Sequence, residues 1–238
     1  MNKVWCFADT HELHDQLLPP KADIAIFAGD AANSSNPIKN LVNMRHFLTW
    51  FKDLPIKHKV MIAGNHDTSI DKRLVIPEEI EEMGINYLEH EAREIAGIKF
   101  FGSPYTPAFN PQTWSFNVKR NKLDLYWSTI PDDTQILVTH GPAKGFLDYT
   151  DDFDSGNPIQ VGCKSLSNRI NQIKDIKMHV FGHIHTSFSK NSSFYNSGTY
   201  RGADKITRIN ASCYTDRLPR VLTSNGYVIQ WDNGKVLI

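Results

Sequence analysis

An α/β fold, with two layers of sheet covered by helices, is what this sequence predicts, and three observations predict it. Six short apolar runs, several of them β-branched, are each closed by glycine or a polar residue: 4–8, 24–28, 59–63, 98–102, 135–138 and 178–181. Between the second and third runs, residues 37–54 carry Leu41, Met44, Phe47, Leu48 and Phe51 at helical spacing, which makes a βαβ unit. Four of five short polar strings follow directly on apolar runs, so their side chains would collect along one edge of a sheet.

The remaining elements follow in order. Residues 78–83 read as a short helix, 119–130 as another, and 163–173 as a third with Leu166, Ile170 and Ile173 on one face. From 194 through 209, and on to 227–231 and 235–238, the pattern is of strands and hairpins, with Asp232-Asn233-Gly234 as a turn. At 238 residues the chain can bury one large core, and no linker, charge block or repeat divides it. A single domain over 1–238 is the expectation.

Lys plus Arg equals Asp plus Glu at 26 each, which excludes a basic surface that tracks a long nucleic-acid backbone. A small or locally held phosphate ester is favoured instead. Cys6, Cys163 and Cys213 are odd in number and lack metal-ligand spacing, so reduced thiols in a cytoplasmic protein are expected. The first apolar run turns polar too quickly for a signal peptide or a membrane span.

The five strings are Asp9-Thr10-His11, Gly29-Asp30, Gly64-Asn65-His66-Asp67, Thr139-His140-Gly141 and Gly182-His183-Ile184-His185. Together they offer enough oxygen and nitrogen donors for two adjacent divalent metals, the equipment of a metal-dependent hydrolase of phosphate esters. The set is rich in histidine, which suits Zn, Mn and Fe(II) better than Mg or Ca. Asp9 and His11 lie two apart, so at an extended strand end they point the same way and can close on one metal, and His183 and His185 repeat that spacing. If Asp30 bridges the two ions, they sit roughly 3.5 to 4 Å apart, with Asn65 and His140 filling the second site. His66 follows Asn65 and is placed to face the substrate, donating a hydrogen bond or a proton to the phosphoryl or leaving-group oxygen, with Asp67 to orient it. His14, His46, His58, His90 and His179 have no partner pattern and read as surface or satisfied core residues.

The ordered set resembles the calcineurin-like metallophosphoesterases over most of the chain. Ala63-Gly64-Asn65-His66-Asp67, Gly102-Ser103-Pro104-Tyr105-Thr106-Pro107, Thr139-His140-Gly141-Pro142 and Ile209-Asn210-Ala211-Ser212 narrow the resemblance to the MPPED-like branch, similar to class III cyclic nucleotide phosphodiesterases. The resemblance implies a four-layer α/β/β/α sandwich with a dinuclear centre at strand C-terminal ends. It implies that Asp9, His11, Asp30 and His185 hold one metal and Asp30, Asn65, His140 and His183 the other, with His66 the catalytic histidine that binds neither. Mn is the first expectation for the ions, with Fe, Zn, Ni or Co as alternatives. A homodimer fits the family.

Residues 104–116 read as a loop carrying Tyr105, Phe109, Trp114 and Phe116, stiffened by prolines, whose aromatic rim can stack on a nucleobase or simply seal the loop onto the sheet. The acidic stretch 148–154 would repel a charged polymer, and Arg201, Arg208, Arg217 and Arg220 are candidates for phosphate contacts or dimer salt bridges. The leading expectation is a phosphodiesterase in which a metal-bridging hydroxide attacks the phosphorus of a 2',3' or 3',5' cyclic nucleotide or a similar small phosphodiester. The alternatives are a phosphomonoesterase or distributive nuclease on the same core, and a non-catalytic interaction protein stabilised by metal.

Overall fold

The first strand, β1 (Asn2–Phe7), divides the core in two: Val4 and Cys6 turn to one side, Trp5 and Phe7 to the other, and all four are buried. Burial on both faces is why the strand reads as a continuous apolar run. The computed structural model describes residues 1–109, 114–152, 155–185, 187–188, 193–194, 196–215 and 221–237. After β1 come β2 (Ile24–Phe27), β3 (His58–Met61), β4 (Ile85–Tyr87), β5 (Glu91–Ile95), β6 (Ile98–Ser103), β7 (Thr106–Pro107), β8 (Asn117–Val118) and β9 (Ile136–Thr139). They are followed by β10 (Tyr149–Asp151), β11 (Pro158–Gln160), β12 (Met178–Phe181), β13 (Ser187–Phe188), β14 (Ser193–Phe194), β15 (Gly198–Arg201), β16 (Thr207–Asn210), β17 (Tyr227–Asp232) and β18 (Lys235–Leu237). The helices are α1 (Pro37–Asp53), α2 (Thr68–Asp71), α3 (Pro77–Glu82), α4 (Leu123–Trp127) and α5 (Lys164–Ile170).

Two six-stranded mixed sheets result, in the orders β18-β17-β1-β2-β3-β4 and β15-β16-β12-β9-β6-β5. Val4, Ile26 and Val60 of the first pack against Phe100, Val138 and Val180 of the second, forming the central core. On the outer face of the first sheet Trp5, Phe7 and Phe27 meet Met44, Phe47, Leu48 and Phe51 of α1, the helical stripe predicted above. Asn36 caps α1 by accepting from the amides of Ile38 and Lys39, and Pro37 occupies its first turn. On the outer face of the second sheet Phe101 and Leu137 meet Leu123 and Trp127 of α4 and Leu166 and Ile170 of α5. The layering is α/β/β/α.

The sequence-based boundaries shift where packing ends. The helix expected over 119–130 is a 3-10 turn (Arg120–Lys122) followed by the short α4, in which Leu123 and Trp127 are buried against the sheet and Leu125 is 73% exposed, with Ile130 buried beyond its end. Ile173 is buried as expected, but beyond the end of α5. Strand β5 was not anticipated: its sequence is mostly charged, as befits a sheet edge, and the positive-φ pair Ala96 and Gly97 folds it back onto β6. The turn at Asn233 and Gly234 joins β17 to β18 by the same device, as predicted.

Parallel strands β1, β2 and β3 in one sheet and β9 and β12 in the other all deliver their carboxyl ends to one edge. A backbone seam joins the sheets there: Ala8 N–H donates to Ala211 O at 2.9 Å and Cys213 N–H to Ala8 O at 2.9 Å. The three cysteines are buried free thiols. Among the described residues, no helix is long and apolar enough to cross a membrane.

Candidate metal centre

Three of the five polar strings leave their strands through residues of positive φ. Asp9, His11, Asp30 and His183 all have positive φ, four of the twelve non-glycine residues that do so among those described. Such strain gathers where a fold must aim side chains at one point. Gly64 and Gly182 permit the close approach: a Cβ on Gly64 would meet Asp30 Oδ1 and stand 2.6 Å from His140 Cε1, and one on Gly182 would stand 2.5 Å from Asp9 Oδ2.

The side chains converge in two main groups that share an edge, and His66 offers a donor atom to a third with His11 and Asp30. Asp9, His11 and His185 present donor atoms within 4.8 Å of one another, and so do Asp30, His140 and His183. Asn65 Oδ1 lies 2.9 Å from His140 Nε2. Asp30 Oδ2 stands 3.2 Å from His140 Nε2 and 3.9 Å from His11 Nε2, so one oxygen faces both groups, while Asp30 Oδ1 accepts the His66 amide at 2.7 Å. The spacing alone would close His183 and His185 on one metal, and that reading does not hold here, whereas the resemblance already implied different ions for the two. The chain is left-handed at His183, and also at Asp9 and His11, so neither pair sits at an extended strand end as the spacing assumed; Asp9 and His11 share a group and His183 and His185 do not.

The donor set fits divalent cations. His140 Nδ1 donates to the Ala28 carbonyl at 2.8 Å and His11 Nδ1 faces the Ala32 carbonyl at 3.3 Å; carbonyls only accept, so both Nδ1 carry protons and both Nε2 face the cluster, where in the protein alone His140 Nε2 carries a second proton towards Asn65 Oδ1 and Asp30 Oδ2 that a metal ion would replace. His11 Nε2 and His185 Nε2 then lie 3.2 Å apart, two ring nitrogens converging on one point. Asp9 and Asp30 are buried carboxylates, and among the described residues no lysine or arginine pairs with either. In the protein alone, burial opposes charge on His140, but Asp30 outweighs it and raises the imidazole to about 9. A positive charge belongs in this cluster, and a metal ion supplies it without a proton.

Around the cluster, other groups fix the loops. Asp67 does not orient His66 as expected from the sequence. Its Oδ2 accepts the amides of Asp30 (2.9 Å) and Gly64 (2.8 Å) and its Oδ1 those of Ala31 (3.0 Å) and Ala32 (3.1 Å), so the buried carboxylate ties the two ligand loops together. Asn40 of α1, which the sequence did not single out, donates to the His66 carbonyl at 2.7 Å and to that of Ser34 at 2.8 Å, and accepts the Ser69 amide at 3.0 Å. Asn210 donates to Ile184 O at 2.9 Å, holding the loop between His183 and His185. Ser115 N–H donates to Asn65 O at 3.0 Å. His66 stands between His11 (ring centroids 4.7 Å) and Trp114 (3.9 Å), with its Nδ1 buried and unpartnered.

A cavity of about 330 Å³ opens from the cluster, lined by Asp30, Asn65, His66, His183 and His185 on one side. Of the four aromatic residues expected to bind substrate, Phe109 and Trp114 line it, Phe109 lying 5.4 Å from the His183 ring. Tyr105 and Phe116 do not: they pack on each other and on the outer helical layers, the sealing role that was the alternative. Of the expected cations, Arg208 is buried against Asp204 and over the Phe146 ring, Arg201 donates to Val236 O, and Arg217 and Arg220 lie outside the described residues. In the acidic stretch, Asp148 is buried and accepts the amides of Gly145 and Gly162, while positions 153 and 154 lie outside the described residues. Away from the centre, His14 Nε2 meets His46 Nδ1 at 3.1 Å.

A family model for calcineurin-like phosphoesterases matches residues 3–187. The chain belongs to the calcineurin-like phosphoesterase family. It is 31% identical over 206 residues to the human metallophosphoesterase domain-containing protein 1, covering 77% of this chain and 60% of that protein, and the mouse protein of that name matches equally. A UPF0046 protein of Caenorhabditis elegans is 30% identical over 224 residues, covering 86% of this chain and 72% of that one. The chain thus spans about 60% of the length of the mammalian relatives. Family membership supports a metal-dependent phosphoester hydrolase, and the two donor groups are where divalent ions fit.

Proposed function

We propose that the chain is a two-metal phosphodiesterase acting on a small nucleotide ester, with cyclic nucleotides (2',3' or 3',5') as the substrate class. The observation that carries this reading is Asp30 Oδ2, which faces both donor groups at 3.2 and 3.9 Å and so suits a carboxylate shared by two ions. When bound, two such ions neutralise charge on a phosphoryl group and activate water as the nucleophile. Asp9, His11, Asp30 and His185 would hold one, and Asp30, Asn65, His140 and His183 the other.

The chain's own contribution is orientation and a proton donor. His66 is left out of both sets in this reading, although its donor atom lies within 4.8 Å of those of His11 and Asp30, and Trp114 and His11 flank its ring. From there an imidazole N–H can donate to a phosphoryl or leaving-group oxygen as charge develops on it. Burial lowers the His66 pKa against the opposing pull of Asp30, which favours the neutral ring at neutral pH and a hydrogen-bond donor over a full acid. Phe109 and Trp114 supply aromatic surface beside the cluster for a nucleobase or ribose. A cavity of about 330 Å³ suits a mononucleotide better than a polymer.

The test is a substrate panel on Mn-loaded protein: 2',3'-cAMP, 3',5'-cAMP, AMP, short single-stranded DNA and bis-p-nitrophenyl phosphate. Turnover of a cyclic nucleotide supports the proposal. Turnover confined to AMP or to DNA replaces it with a monoesterase or a nuclease, and none at all with a metal-stabilised interaction protein.

A further inference from the structure

Arg120 is the one lysine or arginine, among the described residues, that lines the cavity opening from the metal cluster. It begins the 3-10 turn that precedes α4, and its Nη2 donates to the Val161 carbonyl at 3.0 Å. That bond uses one of five guanidinium N–H groups. Among the described residues no carboxylate pairs with Arg120, although Asp124 lines the neighbouring hollow on its other side. Neither Asp9 nor Asp30 reaches it; their ion-pairing partners are the cluster histidines. Val161 stands just before Cys163, which bridges Ala143 beyond the His140 loop, so the guanidinium is tied to the cavity wall behind that loop.

A guanidinium held against a cavity wall with spare donors is a planar anion receptor. The cleaved phosphate does not need it, since the cluster and His66 answer that charge. We propose that Arg120 forms a second anion subsite, which takes a phosphate of the substrate other than the one that is cleaved. The inference rests on the phosphodiesterase reading for which ester is cleaved, and within that class it favours diesters that carry an additional, uncleaved phosphate, such as a 2',3'-cyclic nucleotide with a 5'-phosphate, over plain cyclic nucleotides. Phe109, beside His183, and Trp114, beside His66, line the same cavity, so a nucleoside joining the two phosphates has aromatic surface alongside it.

The test compares two chromogenic diesters that release the same p-nitrophenol: thymidine 5'-(p-nitrophenyl phosphate) with and without a 3'-phosphate. Charge-assisted hydrogen bonds to the added phosphate should raise kcat/KM roughly ten- to hundredfold in the wild type, chiefly through KM. In Arg120→Gln that preference should collapse towards unity, and Arg120→Lys should keep part of it. A preference that survives in Arg120→Gln overturns the proposal, as does an equal loss on both esters, which would put Arg120 on the cleaved phosphate. If neither ester is turned over, the diesterase reading fails by itself and the subsite is judged by calorimetry on the Mn-loaded protein. Thymidine 3',5'-bisphosphate binding roughly tenfold or more tighter than thymidine 5'-phosphate, lost in Arg120→Gln, supports it. Equal binding of the two nucleotides overturns it.

Discussion

Replacing Asn40 by alanine should both loosen the fold and misplace His66. The side chain is fully buried and makes three hydrogen bonds: to the carbonyls of His66 and Ser34, and from the amide of Ser69. Three neutral bonds are worth about 1 kcal/mol each, and the Ser69 amide left without a partner raises the expected cost to about 3–6 kcal/mol, while the His66 carbonyl keeps the Thr68 amide. That is a large part of a typical domain's stability of about 5–15 kcal/mol. Because the bond at 2.7 Å fixes the backbone of His66 itself, turnover should fall with the stability. Asn40→Asp separates the effects: it can still accept the Ser69 amide but has nothing to donate to the two carbonyls. Urea unfolding gives the stability change, and initial rates on bis-p-nitrophenyl phosphate, with metal content measured on the same samples, give the positioning effect. A variant within about 1 kcal/mol of wild type at unchanged turnover would refute the reasoning.

Three further outcomes follow from the same structure. Gly64→Ala should abolish metal binding and activity, since its Cβ would collide with Asp30 Oδ1 and His140 Cε1; metal content by mass spectrometry checks this, and a loaded variant would contradict it. Chelation should destabilise the protein, because Asp9 and Asp30 are buried without lysine or arginine partners among the described residues; re-adding Mn at a hundred times its Kd should restore about 2.7 kcal/mol per site, read as a rise in Tm. Burial holds His14 down at about 4, so the folded state keeps it neutral while the unfolded state protonates near 6.5. Its contribution is therefore complete above pH 6.5 and is lost as pH falls towards 4, an expected change of about 3 kcal/mol that urea melts should find flattened in His14→Gln.

The parts of the fold visible in the sequence were those whose local pattern and tertiary burial coincide. The runs that became β1, β2, β3, β6, β9 and β12 are buried on both faces, and the α1 stripe meets a sheet along its whole length. Strand β5 was hidden because an edge strand with Glu91, Arg93 and Glu94 has no apolar run to notice, although Ala96-Gly97 was a turn signal in reach. The ligand strings could be read because metal chemistry demands particular residue types next to strand ends. Their division between two groups came from the family resemblance and not from spacing, since an i, i+2 rule assumes extended strand ends and Asp9, His11 and His183 are left-handed. Asn40 and Arg120 carried no local signal at all. Asn40 looks like Asn43 one turn later until His66 is brought beneath it, and Arg120 is one basic residue among Lys119 and Lys122 until Val161 fixes it to the cavity wall.

The central claim, that this is a two-metal phosphodiesterase in which His66 acts on the substrate without binding metal, is tested most directly by one variant. His66→Ala should retain wild-type metal content, two ions per chain by mass spectrometry, while turnover of 2',3'-cAMP and bis-p-nitrophenyl phosphate falls by roughly 10²–10⁴-fold, the usual share of a general acid or hydrogen-bond donor. Loss of metal together with activity would make His66 a ligand. Unchanged turnover at full metal content would remove it from the chemistry altogether.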